Sequence, residues 1–162
     1  MVKRTAIYPG TFDPLTLGHL DIVERASKLF DRTVITIATN PYKQPLFTLE
    51  ERILFVKDAT RHITNISVSH FEGLVVDFAQ SEGAAAIIRG LRAVSDFEYE
   101  LQMALMNRRL NSDVTTVFLM PNEKYTYLNS TIVKEVAKYG GRIDNFVTPL
   151  VAEKLLEKLN KE

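Results

Sequence analysis

The 162-residue chain has no cysteine. That excludes thiol catalysis, a zinc–thiolate centre and disulfide staples. It has no excess of one charge either, since 20 Lys plus Arg balance 20 Asp plus Glu. A dedicated DNA or RNA binder ordinarily carries a basic surplus, so no nucleic-acid partner is expected. The balance still permits a small, locally positive pocket. No apolar run approaches the roughly 20 residues that cross a bilayer. Met1-Val2-Lys3-Arg4 leads into a short apolar segment ending at Pro9-Gly10, without the pattern of a signal peptide. No membrane partner is expected, and the expected location is cytoplasmic. Low-complexity tracts, internal repeats and linkers are also missing.

What is present is ordinary globular composition, 46% hydrophobic and 25% charged. At about 150 residues per domain, one domain over residues 1–162 is expected. A domain of this size buries roughly 70% of the surface its unfolded chain exposes, so it needs no metal staple.

Short β-branched runs alternate with longer amphipathic ones. Strands are expected at Thr5–Tyr8, Thr33–Ala38, Ile66–His70, Ala86–Arg89 and Val114–Met120. Helices are expected at Gly18–Phe30, from Thr48 onward, at Leu74–Ser81, Asp96–Leu110 and Ser130–Lys138, and after Thr148-Pro149. Leu20, Val23, Ala26, Leu29 and Phe30 recur at helical spacing in the first helix. Thr48 and Glu51 have capping-box spacing. Gly140-Gly141 suits a left-handed C-terminal cap. This alternation predicts an α/β, Rossmann-like, doubly wound sheet of five parallel strands with helices on both faces. Ligands of such folds bind beyond the carboxyl ends of the strands, near the topological switch point.

Phosphate-compatible groups collect at that edge. The first strand runs into Pro9-Gly10-Thr11-Phe12-Asp13-Pro14, and Gly18-His19 stands where the first helix begins. Gly10 is expected to make the sharp turn, Thr11 offers a hydroxyl and an N–H, and a helix start favours anions. His62 and His70 lack such a setting and read as structural. Lys43 lies in the loop after the second strand. Arg89-Gly90-Leu91-Arg92 ends the fourth. Arg89 either pairs with a carboxylate such as Glu100 or holds an anion, and both readings stand. After the fifth strand, Tyr125-Thr126-Tyr127-Leu128-Asn129-Ser130-Thr131 leads into a helix carrying Lys134. No Walker A element, GxGxxG fingerprint or Ser-His-Asp arrangement is present. Histidine, lysine, arginine and helix starts without a nucleophile suit phosphoryl-type transfer, which relies on positioning and charge neutralisation.

Gly10-Thr11-Phe12-Asp13-Pro14-Leu15-Thr16-Leu17-Gly18-His19 resembles the GTFDPxTxGH signature of the nucleotidylyltransferase superfamily, whose core is the T/HxGH element. Tyr42-Lys43-Gln44-Pro45, Phe47 to Arg52, Ile88 to Arg92, Asp96 to Glu100, Met106-Asn107-Arg108 and Val117 to Pro121 are similar to the bacterial phosphopantetheine adenylyltransferases. The resemblance extends to about Pro149. It implies a single nucleotidylyltransferase domain over 1–162. The implied reaction is reversible adenylyl transfer from ATP to 4′-phosphopantetheine with Mg²⁺. It gives 3′-dephospho-coenzyme A and pyrophosphate, the penultimate step of coenzyme A synthesis. Attack is in line, with no covalent enzyme intermediate.

By the same resemblance, His19 stabilises the transition state and Thr11 orients the attacking phosphate. Lys43 and Arg89 hold that phosphate, and Leu74 and Val75 line the pantetheine arm. ATP is expected on Thr11, Phe12, His19, Gly90, Leu91, Arg92, Glu100 and the segment Tyr125, Thr126, Tyr127, Leu128, Asn129, Ser130, Thr131. No protein metal ligand is implied, Mg²⁺ being held by phosphates and water. Two positions depart from the pattern. Asn129 replaces a hydroxyl residue and can still cap. Lys134 replaces an arginine, exchanging a fork for a point charge. The resemblance further implies a homohexamer, with coenzyme A as feedback inhibitor. Met103 and Met106 either face a neighbouring copy or belong to the core. The alternatives are a nucleotidylyltransferase using nicotinamide mononucleotide or glycerol phosphate, and a non-catalytic nucleotide-binding protein.

Overall fold

Five apolar, β-branched runs form the strands of one parallel sheet in a computed structural model. The structure describes residues 4–160, with Val94 and Ser95 described by backbone alone. The strands are β1 (Thr5–Gly10), β2 (Arg32–Ala38), β3 (Ile66–Phe71), β4 (Ala86–Gly90) and β5 (Thr115–Leu119), in the order β3-β2-β1-β4-β5. The helices are α1 (Leu17–Leu29), α2 (Leu49–Thr60), α3 (Val75–Ser81), α4 (Val94–Leu110), α5 (Ser130–Lys138) and α6 (Pro149–Leu159). The expected elements are all present, with ends displaced by one or two residues. A short 3-10 turn at Glu123–Tyr125 was not expected; the Asn122 side chain caps it by accepting from the Lys124 N–H at 3.2 Å.

Strand side chains alternate between the two faces. Ala6, Tyr8, Ile35, Ile37 and Ile88 join Val23, Phe55, Val133 and Leu155 in the larger core, beneath α1, α2, α5 and α6. Ile7, Val34 and Ile87 join Val76 and Ala79 of α3 in a smaller core on the other face. Each large side chain so buried contributes about 1.5–3 kcal/mol. α4 packs beside α3 and β5 but leaves Met103 (38%) and Met106 (57%) exposed. Neither methionine therefore belongs to this subunit's core.

Local signals behave as their chemistry requires. The Thr48 hydroxyl accepts from the Glu51 N–H at 3.2 Å, and the Glu51 carboxylate accepts from the Thr48 N–H at 2.8 Å. Gly140 takes φ 76 behind α5, as a left-handed cap demands. Thr148 occupies the cap position of α6, but its hydroxyl makes no cap hydrogen bond. Among the described residues no helix is long and apolar enough to cross a membrane.

The chain winds from β1 out to β3, then returns to place β4 on the other side of β1. The switch point thus lies between β1 and β4. The loops after those strands, and the first turns of α1 and α5, meet above it.

Candidate active site

The loop after β1 forms the floor of the site. In the sharp turn expected from Gly10, the residue with positive φ is Phe12, at 50. Gly10 is needed for a different reason: a Cβ there would stand 2.9 Å from Cζ of the Phe12 ring. Asp13 is 6% exposed. Its carboxylate accepts from the backbone N–H groups of Leu46 and Phe47, both at 2.9 Å, and from Lys134 Nζ at 3.0 Å. One buried carboxylate therefore joins the β1 loop, the segment before α2 and helix α5.

His19 is held by the helix it begins. The Thr16 hydroxyl accepts from the His19 N–H at 3.3 Å, while the Thr16 N–H donates to His19 Nδ1 at 3.0 Å. This is a capping box with histidine in the place usually held by glutamate. An Nδ1 that accepts leaves the proton of the neutral ring on Nε2. Burial first, then the charges of Arg92 and Arg89, push the ring's pKa down to about 4. At neutral pH His19 is therefore an uncharged N–H donor of fixed tautomer. Burial also pushes the Tyr8 phenol upward, so it too stays neutral.

Four cations line the same cavity, and they differ in their partners. Arg89 donates from Nε and Nη2 to the two Glu100 oxygens at 2.9 and 2.7 Å, and from Nη1 to the Pro9 carbonyl at 3.1 Å. The sequence left carboxylate pairing and anion binding open; the structure contains the pair. A guanidinium has five N–H groups, so two remain for a ligand. Arg92 donates to Asp96 at 3.2 Å and to the Leu128 carbonyl at 3.0 Å. Lys134 is tied to Asp13. Lys43 is exposed, with no side-chain partner among the described residues.

Beyond β5, at the start of α5, the Asn129 side chain accepts from the Ile132 N–H at 2.8 Å and Ser130 donates to the Pro14 carbonyl at 2.7 Å. Asparagine therefore does cap α5. The first turns of α1 and α5 both border the cavity, which measures about 770 Å³. Helix starts carry partial positive charge suited to phosphate.

Of the residues expected from sequence, the cavity is lined by Thr11, Phe12, His19, Lys43, Arg89, Gly90, Arg92, Glu100, Leu128, Asn129, Ser130 and Thr131. Leu91, Tyr125, Thr126, Tyr127, Leu74 and Val75 are not on its wall. The Leu91 N–H is bound to the Leu119 carbonyl at 2.9 Å. Leu74 stands exposed at the start of α3, and Val75 packs toward the smaller core. Tyr8, Asp13 and Thr16, for which the sequence alone indicates no role, also line it. Thr16 was discoverable, because its spacing to His19 is that of a cap.

Residues 7–136 match the cytidylyltransferase-like family. A phosphopantetheine adenylyltransferase of Caldanaerobacter subterraneus subsp. tengcongensis is 52% identical over 158 residues, covering 98% of this chain and 99% of the relative. A solved structure from Vibrio parahaemolyticus, provisionally assigned as a nicotinate-nucleotide adenylyltransferase, matches with TM-score 0.71 and 21% identity, covering 99% of this chain and 97% of that one. At that identity the likeness concerns the fold alone. The motif around His19, its place at the β1–β4 switch and the near full-length relative agree: the chain belongs to the cytidylyltransferase-like family, among its phosphopantetheine adenylyltransferases.

Proposed function

We propose that the protein transfers the adenylyl group of ATP to 4′-phosphopantetheine, giving 3′-dephospho-coenzyme A and pyrophosphate. The observation that carries this reading is the 52% identity, across 98% of the chain, to a phosphopantetheine adenylyltransferase. The cavity's chemistry supports it. An oxygen of the acceptor phosphate attacks the α-phosphorus of ATP in line, and the bond to the pyrophosphate oxygen breaks. Lys43 and the two uncommitted N–H groups of Arg89 hold the acceptor phosphate, and Thr11 orients it. The His19 Nε2–H donates to an α-phosphate oxygen, where charge gathers as five bonds form. One such donor is worth roughly 10²–10³ in turnover. The starts of α1 and α5, with Arg92, Ser130 and Thr131, receive the departing pyrophosphate. Leu74 and the backbone of Val75, outside the cavity wall, border the pantetheine arm where it extends beyond the cavity. Phe12, Gly90, Glu100, Leu128 and Asn129 surround the nucleotide.

Mg²⁺ fits as a companion of the triphosphate. Among the described residues no three His, Cys, Asp or Glu side chains gather into a metal cage, which suits an ion held by phosphate oxygens and water. When bound, it neutralises pyrophosphate charge. The enzyme acts in the cytoplasm as a homohexamer, with exposed residues of α4, including Met103 and Met106, against neighbouring copies, and coenzyme A inhibits by occupying the cavity. Sedimentation at six times the 18.4 kDa of one chain is the expected assembly.

The test is pyrophosphate release from Mg-ATP, with 4′-phosphopantetheine, nicotinamide mononucleotide and glycerol 3-phosphate offered separately. Release with phosphopantetheine alone is expected. Release only with another acceptor overturns the substrate, and ATP binding without release to any acceptor overturns catalysis.

A further inference from the structure

Arg52 lies in the first turn of α2 and is only 4% exposed. A buried cation ordinarily sits against a carboxylate. This one donates instead to three backbone carbonyls: Thr48 at 3.3 Å from Nε, and Thr11 at 3.0 Å and Ala38 at 3.4 Å from Nη1. Thr11 follows β1 and Ala38 ends β2, so the guanidinium spans the two strand ends beside the site. Arg52 also lines a second cavity of about 280 Å³ that shares Thr11, Lys43 and Pro45 with the main one.

The bond to Thr11 has a geometric consequence. In a planar trans peptide the C=O and the following N–H point in opposite directions. With the Thr11 carbonyl turned to Arg52, the Phe12 N–H points away from the guanidinium. That N–H has no acceptor among the described residues, and Thr11 and Phe12 both line the main cavity. The same peptide orientation gives Phe12 its φ of 50, a region that aromatic residues rarely enter. Rotating the peptide by half a turn would return Phe12 to ordinary negative φ. It would also carry the N–H away from the cavity. Such a conformation persists only when its surroundings hold it, and Arg52 supplies the hold.

We propose that Arg52 is a positioning residue, holding the Thr11–Phe12 peptide so that the Phe12 N–H faces a phosphate oxygen of the bound nucleotide. The role rests on the adenylyl-transfer reading above. Lysine cannot replace it fully, because a single ammonium on a flexible stem lacks the separate Nε–H by which the planar guanidinium is also anchored to the Thr48 carbonyl.

The experiment uses the full chain carrying Arg52→Met or Arg52→Lys, with melting temperature, kcat, and KM for ATP and phosphopantetheine measured on each. For folded Arg52→Met, kcat falls about 100-fold, the loss seen when one backbone-type donor to developing charge is removed. Arg52→Lys recovers part of that loss, and a crystal structure of Arg52→Met shows Phe12 at negative φ. Folded variants with kcat within threefold of the natural chain overturn the role. So does a lost kcat with Phe12 still at positive φ. If Arg52→Met does not fold, Arg52→Lys decides by the same criteria. A natural chain inactive with phosphopantetheine overturns the function and this role together; an active natural chain with indifferent variants overturns the role alone.

Discussion

Acidification should break the His19 cap within a defined pH window. The Thr16 N–H points at Nδ1 from 3.0 Å, so a proton on Nδ1 would set donor against donor. The folded ring resists that proton down to about pH 4, through burial and then the charges of Arg92 and Arg89, whereas the reference value is 6.5. The unfolded chain therefore takes up the proton first. The associated stability is fully present above about pH 6.5, declines as the pH falls, and is lost once it passes about 4. Across that interval, at about 1.4 kcal/mol per pH unit, the loss approaches about 3 kcal/mol. His19→Gln is the control, since glutamine at this position keeps a capping box without titrating. Thermal unfolding of both proteins from pH 7.5 to pH 4 is the assay. The natural chain should lose about 6–12 °C more than the variant, at roughly 2–4 °C per kcal/mol for a domain of this size. Parallel losses in the two proteins would refute the buried, neutral His19.

Two further substitutions separate the parts of the site. Lys43→Ala removes the cavity cation without a side-chain partner, so KM for the acceptor should rise about 10- to 100-fold, the worth of a charged hydrogen bond. KM for ATP and the melting temperature should hold; a matching loss of ATP affinity would contradict the division of the pocket. Asp13→Asn breaks the Lys134 pair and unsettles the two backbone anchors, and should cost about 3 kcal/mol, the lower end for breaking a buried pair. A melting temperature within 2 °C of the natural protein, on the scale of roughly 2–4 °C per kcal/mol, would contradict that.

The layers of the fold were legible because strand and helix periods alternate cleanly, and the Thr48–Glu51 cap because its partners lie three positions apart in one turn. The Thr16–His19 cap has the same spacing but places histidine where the rule expects glutamate, and so escaped notice. Phe12 gave no warning of its positive φ, because glycine is the usual signal and Gly10 stood nearby. Arg52 looks in sequence like another charge beside Glu50 and Glu51. Its burial depends on carbonyls 41 and 14 positions away, which no local pattern encodes. Arg89 was ambiguous for a related reason: its partner Glu100 comes from α4, across a loop.

The central claim is that the acceptor's own phosphate oxygen forms the new bond to the α-phosphorus of ATP. The direct measurement uses 4′-phosphopantetheine labelled with ¹⁸O on its phosphate, unlabelled Mg-ATP, and mass analysis of both products. The account predicts all of the label in 3′-dephospho-coenzyme A and none in pyrophosphate. Label in pyrophosphate, or no adenylylated product from folded protein that binds ATP, would contradict it.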